Sequence, residues 1–330
     1  MQESYYIFSN GEISRKDNTL RLCTEEGHTA DIPIEKVYDI HIFGQVSLNS
    51  ALLNLLSKYN ITLHFYNFYE YYIGSFYPKE ENISGAVLVL QAEHYTDNEK
   101  RCLLAKKFVA GSAENIMRNI KYYNSRGRNF QEDIDFISAM SSSLSQYDTI
   151  QSIMGAEGNI RKKYYSLWQD IINREVDFER RVKRPPDNMV NALISLLNSI
   201  LYAKTVNEIY RTQLNPSISY LHEPFIKRFS LALDISEIFK PLLVDRFIFS
   251  LLNKDEIGED DFTEGTGGIK LKDAAFKSVL KKFDDRLKTT IFHRSLKRDV
   301  SYRYLIRLEL YKLVKHLIGD KEYEPFKIWW

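Results

Sequence analysis

Residues 188–210 read NMVNALISLLNSILYAKTVNEIY. Drawn as a helix, this segment carries apolar side chains nearly all the way round, which is typical of a helix buried at the centre of a bundle. Asn191, Asn198 and Ser199 interrupt the apolar run, and these polar side chains argue against a membrane span. The segment therefore predicts a helical domain built around it.

Helical periodicity begins at about Asn98 and dominates the rest of the chain. One apolar face is formed by Leu103, Leu104, Phe108, Val109, Ile116 and Ile120. Residues 300–318 predict another long amphipathic helix. Residues 254–268 show no helical period and contain six acidic residues with four glycines, so we expect a mobile acidic loop there.

The first 77 residues have a different pattern, in which short strand-like runs alternate with glycine and polar clusters. Asn10-Gly11 follows the first of these runs and is typical of a two-residue hairpin turn. Only residues 48–59 have helical spacing. We expect an α+β protein, in which a β-sandwich domain (residues 1–90) precedes a larger all-α domain (residues 91–330). Residues 78–82 form a polar linker between them.

Composition limits the possible classes of protein. Of the 330 residues, 44% are hydrophobic and 27% are charged, which is the balance of a folded soluble chain. The net charge of +1 does not indicate a polyanionic partner, so any DNA site must be a local patch. Cys23 and Cys102 are the only cysteines, which fits a reducing cytosol. No basic leader precedes an apolar stretch, so we expect neither secretion nor a membrane anchor.

Three short segments contain candidate metal ligands. Glu157 lies between the small residues Ala156 and Gly158, so a metal or phosphate can approach it closely. His222 offers an imidazole, a common ligand of Mn²⁺. Asp234 and Glu237 are three positions apart, so on a helix they project about 60° apart from one face.

Each segment also has an ordinary structural explanation. Glu157 in the first turn of a helix would complement the helix dipole, a lone His222 is more often structural, and a polar stripe usually faces water. The functional interpretation gains from His222 lying 12 and 15 residues before the acidic pair, which lets a turn and a helix bring them together. Phosphoryl transfer requires a hard divalent cation, and carboxylates with one imidazole suit Mg²⁺ or Mn²⁺.

Two basic clusters are candidates for DNA contact. The first contains Arg161 and Lys162, and Tyr164 beside them could stack on a splayed base. The second contains Arg180, Arg181 and Arg184, whose charges would bind phosphates without reading sequence. A solvated helix face with loop charges is the alternative for each basic residue. We expect Tyr165 and Trp168 to be packing residues.

The order of the motifs resembles the CRISPR-associated integrase of the adaptation module, the spacer-acquisition machinery. The matching segments are GAEG (155–158), RPP (184–186), NAL (191–193), LH (221–222), LALDISEIFKPLLVDR (231–246), IRLELYKL (306–313) and YEPF (323–326). They span almost the whole chain. The N-terminal part is similar to the β-sandwich of that family in pattern only.

The resemblance implies a metal-dependent DNA endonuclease and integrase. Its metal ligands are then Glu157, His222 and Glu237, and an Asp is also common in the family at the position of Glu237. Asp234 is a further acidic residue of the catalytic site, which supports the ligands or binds the metal occasionally. It also implies a cytoplasmic prokaryotic protein that forms a homodimer through the β-sandwich. The dimer would act with a small ferredoxin-like CRISPR-associated companion on double-stranded DNA, the spacer fragment and the CRISPR repeat.

The implied reaction is a transesterification, in which a 3′ hydroxyl attacks a repeat phosphodiester. With water as the nucleophile the same site would cleave DNA. Two other functions remain open at this point. One is a metal-dependent nuclease acting on branched or repair DNA, and the other is a non-catalytic DNA-binding scaffold whose acidic residues and histidine are structural.

Overall fold

A computed structural model describes residues 2–78, 82–183, 185–224, 229–265 and 267–330. Contacts divide the chain into two compact units, Met1–Asn82 and Ile83–Trp330. The expected boundary at residue 90 would fall inside the helix Gly85–Thr96, which belongs to the second unit.

The first unit contains two four-stranded sheets and one helix. Its strands are β1 (Glu3–Ile7), β2 (Gly11–Lys16), β3 (Thr19–Thr24), β4 (Thr29–Pro33), β5 (Val37–Ile42), β6 (Val46–Leu48), β7 (Thr62–Tyr66) and β8 (Tyr72–Phe76), with α1 (Ser50–Lys58) before β7. One sheet has the order β1-β5-β7-β8 and the other β4-β3-β2-β6. In the first sheet, β1 and β7 run parallel to β5, whereas β8 runs antiparallel to β7.

A single apolar core joins both sheets and α1. It includes Ile40 and Leu63 from the first sheet, Ile13 and Leu20 from the second, and Leu52 from α1. Alternate residues of a strand point to opposite faces, so the residues between these core positions lie on the other face of each sheet. The predicted β-sandwich with one helix is confirmed.

The predicted hairpin at Asn10-Gly11 is wrong, because β1 and β2 lie in different sheets. Asn10 instead accepts a hydrogen bond from the Gln45 amide through Oδ1, at 2.9 Å. Gly11 has a φ of 150°, and a Cβ there would lie 2.0 Å from the carbonyl oxygen of Cys23. The glycine is therefore required where the chain crosses between sheets. The β2–β3 hairpin turns at Asp17, whose φ is 53°.

The second unit is mainly helical, as predicted. Its helices are α2 (Gly85–Thr96), α3 (Asn98–Asn124), α4 (Gln131–Ser143), α5 (Ile150–Ser166), α6 (Trp168–Ile171), α7 (Met189–Tyr210), α8 (Ser230–Lys240), α9 (Arg246–Asn253), α10 (Asp273–Lys288) and α11 (Tyr302–Leu317). A π-helical turn, Pro241–Asp245, connects α8 to α9. Most of α7 is buried, and this helix packs against α8 and α11. It is long and apolar enough to cross a membrane, but 78% of its apolar window is buried inside the protein.

Two short antiparallel hairpins add to the helices. One pairs β9 (Phe262–Gly265) with β10 (Gly268–Leu271), and the other pairs β11 (Thr290–His293) with β12 (Arg298–Ser301). The first hairpin corrects the expectation of an unstructured acidic loop over residues 254–268. Its second strand is fixed by the Ile269 amide, which donates to the Pro186 carbonyl at 3.0 Å.

Candidate active site

Three parts of the second unit carry the predicted ligands. Glu157 lies in the middle of α5, Asp234 and Glu237 lie on α8, and His222 lies in the segment before α8. Since α5 begins at Ile150, the alternative role of Glu157 in a first helical turn is excluded. Helix α3 packs against both α5 and α8, which brings these parts of the chain to one place.

The fully buried Asp234 holds the segment that carries His222. Its Oδ2 accepts from the backbone amides of Tyr220 (2.7 Å) and Leu221 (3.0 Å), and its Oδ1 accepts from the amide of His222 (2.9 Å). The same Oδ1 lies 2.8 Å from His222 Nδ1. A carboxylate can only accept here, so Nδ1 carries the proton and Nε2 is the nitrogen that can ligate a metal. Through these bonds Asp234 positions His222 and the segment that carries it.

Arg161 bridges the two other candidate ligands. Its Nε lies 3.3 Å from Glu157 Oε1, and its Nη2 donates to Glu237 Oε2. Lys240 donates to the other oxygen of Glu237, and Arg161 Nη1 lies 3.9 Å from Asp245 Oδ2. Both oxygens of Glu237 are thus paired with cations, and three carboxylates surround one guanidinium.

The backbone near Glu237 is shaped by Pro241, which has no N–H to donate to the Glu237 carbonyl one helical turn earlier. Ser112 Oγ (3.0 Å) and Arg161 Nη2 (3.2 Å) donate to this carbonyl instead. Asn115 and Asn119 on α3 donate in the same way to the carbonyls of residues 238 and 241, both at 2.9 Å. The polar stripe on buried α3 therefore fixes the part of α8 that bears Glu237.

The electrostatics of the three predicted ligands are coupled. The pKa of Glu157 is raised, first by burial and then by the negative charge of Glu237. Burial also acts to raise the pKa of Glu237, but Lys240 and Arg161 outweigh it and hold this pKa at about 2. For His222, burial acts to lower the pKa, and the hydrogen bond to Asp234 outweighs it, so the pKa is raised.

The predicted ligands converge without closing to coordination distance. Among the residues with a described position, the only three ligating side chains whose donor atoms all lie within 4.8 Å of one another are Asp39, His41 and His64. Glu157, His222 and Glu237 do not form such a group, and both oxygens of Glu237 are paired with Arg161 and Lys240. The side chains of Glu157 and His222 are 24% and 29% exposed, so an ion could reach these two residues from solvent.

Two of the predicted DNA contacts are wrong. Tyr164 is fully buried, and its hydroxyl accepts from Asn119 Nδ2 at 3.0 Å, so its ring cannot stack on a base. Arg161 is buried among carboxylates and is therefore not directed toward a phosphate. Trp168 is fully buried, as expected of a packing residue.

The other predicted basic contacts differ in their surroundings. Lys162 and Arg180 are exposed. Arg181 donates to Asn191 Oδ1 (3.0 Å) and to Ser195 Oγ (2.9 Å), which fixes the chain to the first turns of α7. Arg184 lies outside the described residues.

The second unit also contains a basic cleft of about 830 Å³, which the sequence did not predict. Its cationic lining residues are Arg126, Arg128, Arg246, Lys254 and Arg286, and its tyrosines are Tyr122, Tyr123 and Tyr302. No acidic side chain is among the described residues that line it. The pKa of Arg286 is lowered to about 10, mainly by burial and to a smaller extent by the charge of Arg246, although Tyr302 acts to raise it. These residues come from four separated parts of the chain, so no run of sequence reveals them.

Comparison with known proteins agrees with this architecture. The model of the family described as CRISPR associated protein Cas1 matches residues 5–285. The CRISPR-associated endonuclease Cas1 of Fusobacterium nucleatum is 49% identical over 330 residues, which cover 100% of this chain and 98% of that protein. These matches confirm the family predicted from the order of the motifs.

Solved structures show the same fold. A Cas1 protein from Thermotoga maritima has a TM-score of 0.88 at 40% identity, covering 99% of this chain and 100% of that chain. A casposase bound to an integration product has a TM-score of 0.86 at 20% identity, covering 98% and 93%. At this lower identity, the casposase shows a shared fold alone. The chain belongs to the Cas1 family of CRISPR-associated endonucleases.

Proposed function

We propose that this protein inserts spacer DNA into CRISPR arrays by transesterification, and that the same site cleaves DNA when water replaces the attacking hydroxyl. Glu157, His222 and Glu237 are the proposed ligands of one Mg²⁺ or Mn²⁺ ion. The observation that carries the proposal is that Glu157 and Glu237 meet at one guanidinium, that of Arg161, while Asp234 on the same helix as Glu237 fixes the His222 ring.

The donor set fits a divalent cation. Two carboxylates and one imidazole suit Mn²⁺ and Mg²⁺. The pKa of Glu157 is raised because this carboxyl is buried beside the charge of Glu237, and a cation between the two would relieve that repulsion. Glu237 is held by Arg161 and Lys240, so we expect it to exchange one of these partners for the ion.

The residues of the chain each have a role in this chemistry. A divalent cation at the site would neutralise charge on the scissile phosphate and lower the pKa of the attacking hydroxyl. Asp234 keeps His222 in the tautomer that presents Nε2. Arg161 holds Glu157 and Glu237 in one orientation. Lys240 holds the second oxygen of Glu237, the one that Arg161 does not bond.

The reaction balances without an energy source. The 3′ hydroxyl oxygen of the spacer forms a bond to phosphorus in the repeat, and the bond from phosphorus to the 3′ oxygen of the repeat strand breaks. The proton passes from the attacking oxygen to the leaving oxygen. One phosphodiester replaces another, so no nucleoside triphosphate is consumed.

We also propose, for this protein, the partners that the resemblance implies. They are double-stranded DNA, a second copy bound through the β-sandwich, and a small ferredoxin-like companion, all in a prokaryotic cytoplasm. The basic cleft supports a nucleic-acid substrate, because its five cations can bind phosphates and its tyrosines can stack on bases. We therefore propose the residues that line this cleft as DNA contacts, in place of Arg161 and Tyr164.

A strand-transfer assay tests the function. The purified protein and its companion receive Mn²⁺, a labelled DNA fragment and a supercoiled plasmid that carries a CRISPR repeat. We expect label to join the plasmid when the fragment ends in a 3′ hydroxyl and not when it ends in a dideoxynucleotide. A plasmid without the repeat is the second control.

The same assay separates the alternatives. If the protein nicks the plasmid without joining label to it, its function is that of a nuclease acting on branched or repair DNA, and integration is refuted. DNA binding with no divalent-dependent activity, unchanged in Glu157→Ala, would leave a non-catalytic scaffold.

A further inference from the structure

A row of polar side chains crosses the first sheet on the face opposite the sandwich core. Tyr6, His41, His64 and Ser75 are register partners on β1, β5, β7 and β8. The ring centroids of His41 and His64 are 4.8 Å apart, because these residues occupy neighbouring parallel strands. Asp39 lies two residues before His41 on β5 and therefore points to the same face.

Hydroxyl groups orient both imidazoles. The Nδ1 of His41 lies 2.8 Å from the Tyr66 hydroxyl, and the Nδ1 of His64 lies 2.7 Å from Ser75 Oγ. Ser75 Oγ is in turn 2.7 Å from the Tyr72 hydroxyl. Histidines that ligate metals through Nε2 are commonly held by a partner of this kind at Nδ1. The Nε2 of His41 lies 3.4 Å from Asp39 Oδ1.

The donor atoms of Asp39, His41 and His64 all lie within 4.8 Å of one another, and each of the three residues is 0% exposed. In a tetrahedral complex with bonds of about 2.0 Å, ligand atoms lie about 3.3 Å apart, so the donors need to move together by at most about 1.5 Å. Two imidazoles with one carboxylate match Zn²⁺ or Co²⁺, whereas Mg²⁺ requires mainly oxygen ligands.

We propose that Asp39, His41 and His64 bind one transition-metal ion of the Zn²⁺ class, with a water molecule as the fourth ligand. The ion links β5 to β7, because its ligands lie on these two strands. Its binding is independent of the site formed by Glu157, His222 and Glu237, because the two sets of ligands belong to different compact units.

Cobalt binding to the full-length chain tests the proposal. The double variant Glu157→Ala with His222→Ala removes ligands of the catalytic site, and it should still bind one Co²⁺ per chain with the visible absorption of a tetrahedral complex. Adding His64→Gln should abolish this absorption and the bound ion. Adding His28→Gln instead, at a histidine whose side chain is 81% exposed, should change neither.

A second measurement covers the possibility that His64→Gln does not fold. The double variant with intact His64 is compared with and without Zn²⁺, and bound Zn²⁺ should raise the thermal midpoint and slow amide exchange on β5 and β7. Absence of Co²⁺ and Zn²⁺ binding in this variant would overturn the proposal, and the cluster would then be a hydrogen-bonded chain from Tyr66 through His41 to Asp39. Retention of the tetrahedral absorption in folded His64→Gln would overturn it as well.

Discussion

Asp234 Oδ1 lies 2.8 Å from His222 Nδ1, and the same carboxylate accepts hydrogen bonds from three consecutive backbone amides, those of residues 220–222. One buried side chain thereby fixes both the path of the segment and the orientation of the imidazole. We expect Asp234→Asn to lower metal affinity and strand transfer about 10–100-fold, because an amide cannot accept at both positions. Manganese titration and the NMR titration of His222, whose pKa should fall, measure the effect.

The control for this change is Glu223→Gln, since Glu223 is the exposed neighbour of His222 and pairs with Arg101 at 2.8 Å. This variant should behave as wild type. Equal manganese affinity in Asp234→Asn and wild type would show that Asp234 is structural only.

His222→Ala should abolish strand transfer and leave the fold intact. The imidazole is partly exposed, so its loss removes a ligand and little core packing. His293→Ala changes a partly buried histidine elsewhere in the same unit and should retain activity. Joining rates and thermal unfolding are measured on both variants, and undiminished joining by His222→Ala would refute its assignment as a ligand.

Arg161→Gln should destabilise the protein by about 3–5 kcal/mol, because it leaves the buried carboxylates around it without their shared cation. Lys162→Gln, one position later on the exposed side of α5, should stay within about 0.5 kcal/mol of wild type. Urea unfolding gives both values. We also expect Mn²⁺ to stabilise Arg161→Gln more than wild type, since the ion can take the place of the lost charge.

Asp245 should make stability fall as the pH rises. Burial raises the pKa of this carboxyl to about 7 from an ordinary 3.8, although Arg161 acts to lower it. The folded state keeps this proton up to about pH 7 and the unfolded state loses it near pH 4, so the contribution is full below pH 4 and is lost by pH 7. The pKa of Glu237 is about 2, so its contribution to stability is lost at lower pH and as the pH falls, which is the opposite sign.

Urea unfolding at pH 5.5 and pH 8 tests this behaviour with Asp245→Asn. The variant should lose the part of the pH dependence that Asp245 supplies. If the free energy of unfolding changes by the same amount between the two pH values in variant and wild type, groups other than Asp245 cause the pH dependence.

The basic cleft should dominate the salt dependence of DNA binding. Arg126→Gln with Lys254→Gln removes two cations that line it, which should reduce the slope of log affinity against log salt by about 1.4–1.8. Lys281→Gln, at an exposed cation that is neither a predicted DNA contact nor among the described lining residues, is the matched control, and Arg180→Gln tests the cluster predicted from the sequence. If the double variant keeps the wild-type slope and Arg180→Gln loses part of it, the footprint lies at Arg180.

Periodicity was sufficient to predict the order of the two domains and the long helices α3, α7 and α11, because burial of one face leaves a repeat in the chain. It placed α7 in the core and a helix after residue 300, and it separated the N-terminal strands from both. It failed at Asn10-Gly11, because a two-residue turn signal does not specify which sheet the next strand joins.

By itself, the sequence determined the family, the domain order and the identities of the candidate ligands, since these follow from residue types and their order. Only the tertiary structure decided what each candidate touches. It turned Asp234 toward the backbone of residues 220–222 and buried Arg161 and Tyr164. It also brought the cations and tyrosines of the basic cleft together from four separated parts of the chain. The physical reason is that hydrogen bonding and burial depend on distances between helices, and no local pattern encodes those distances.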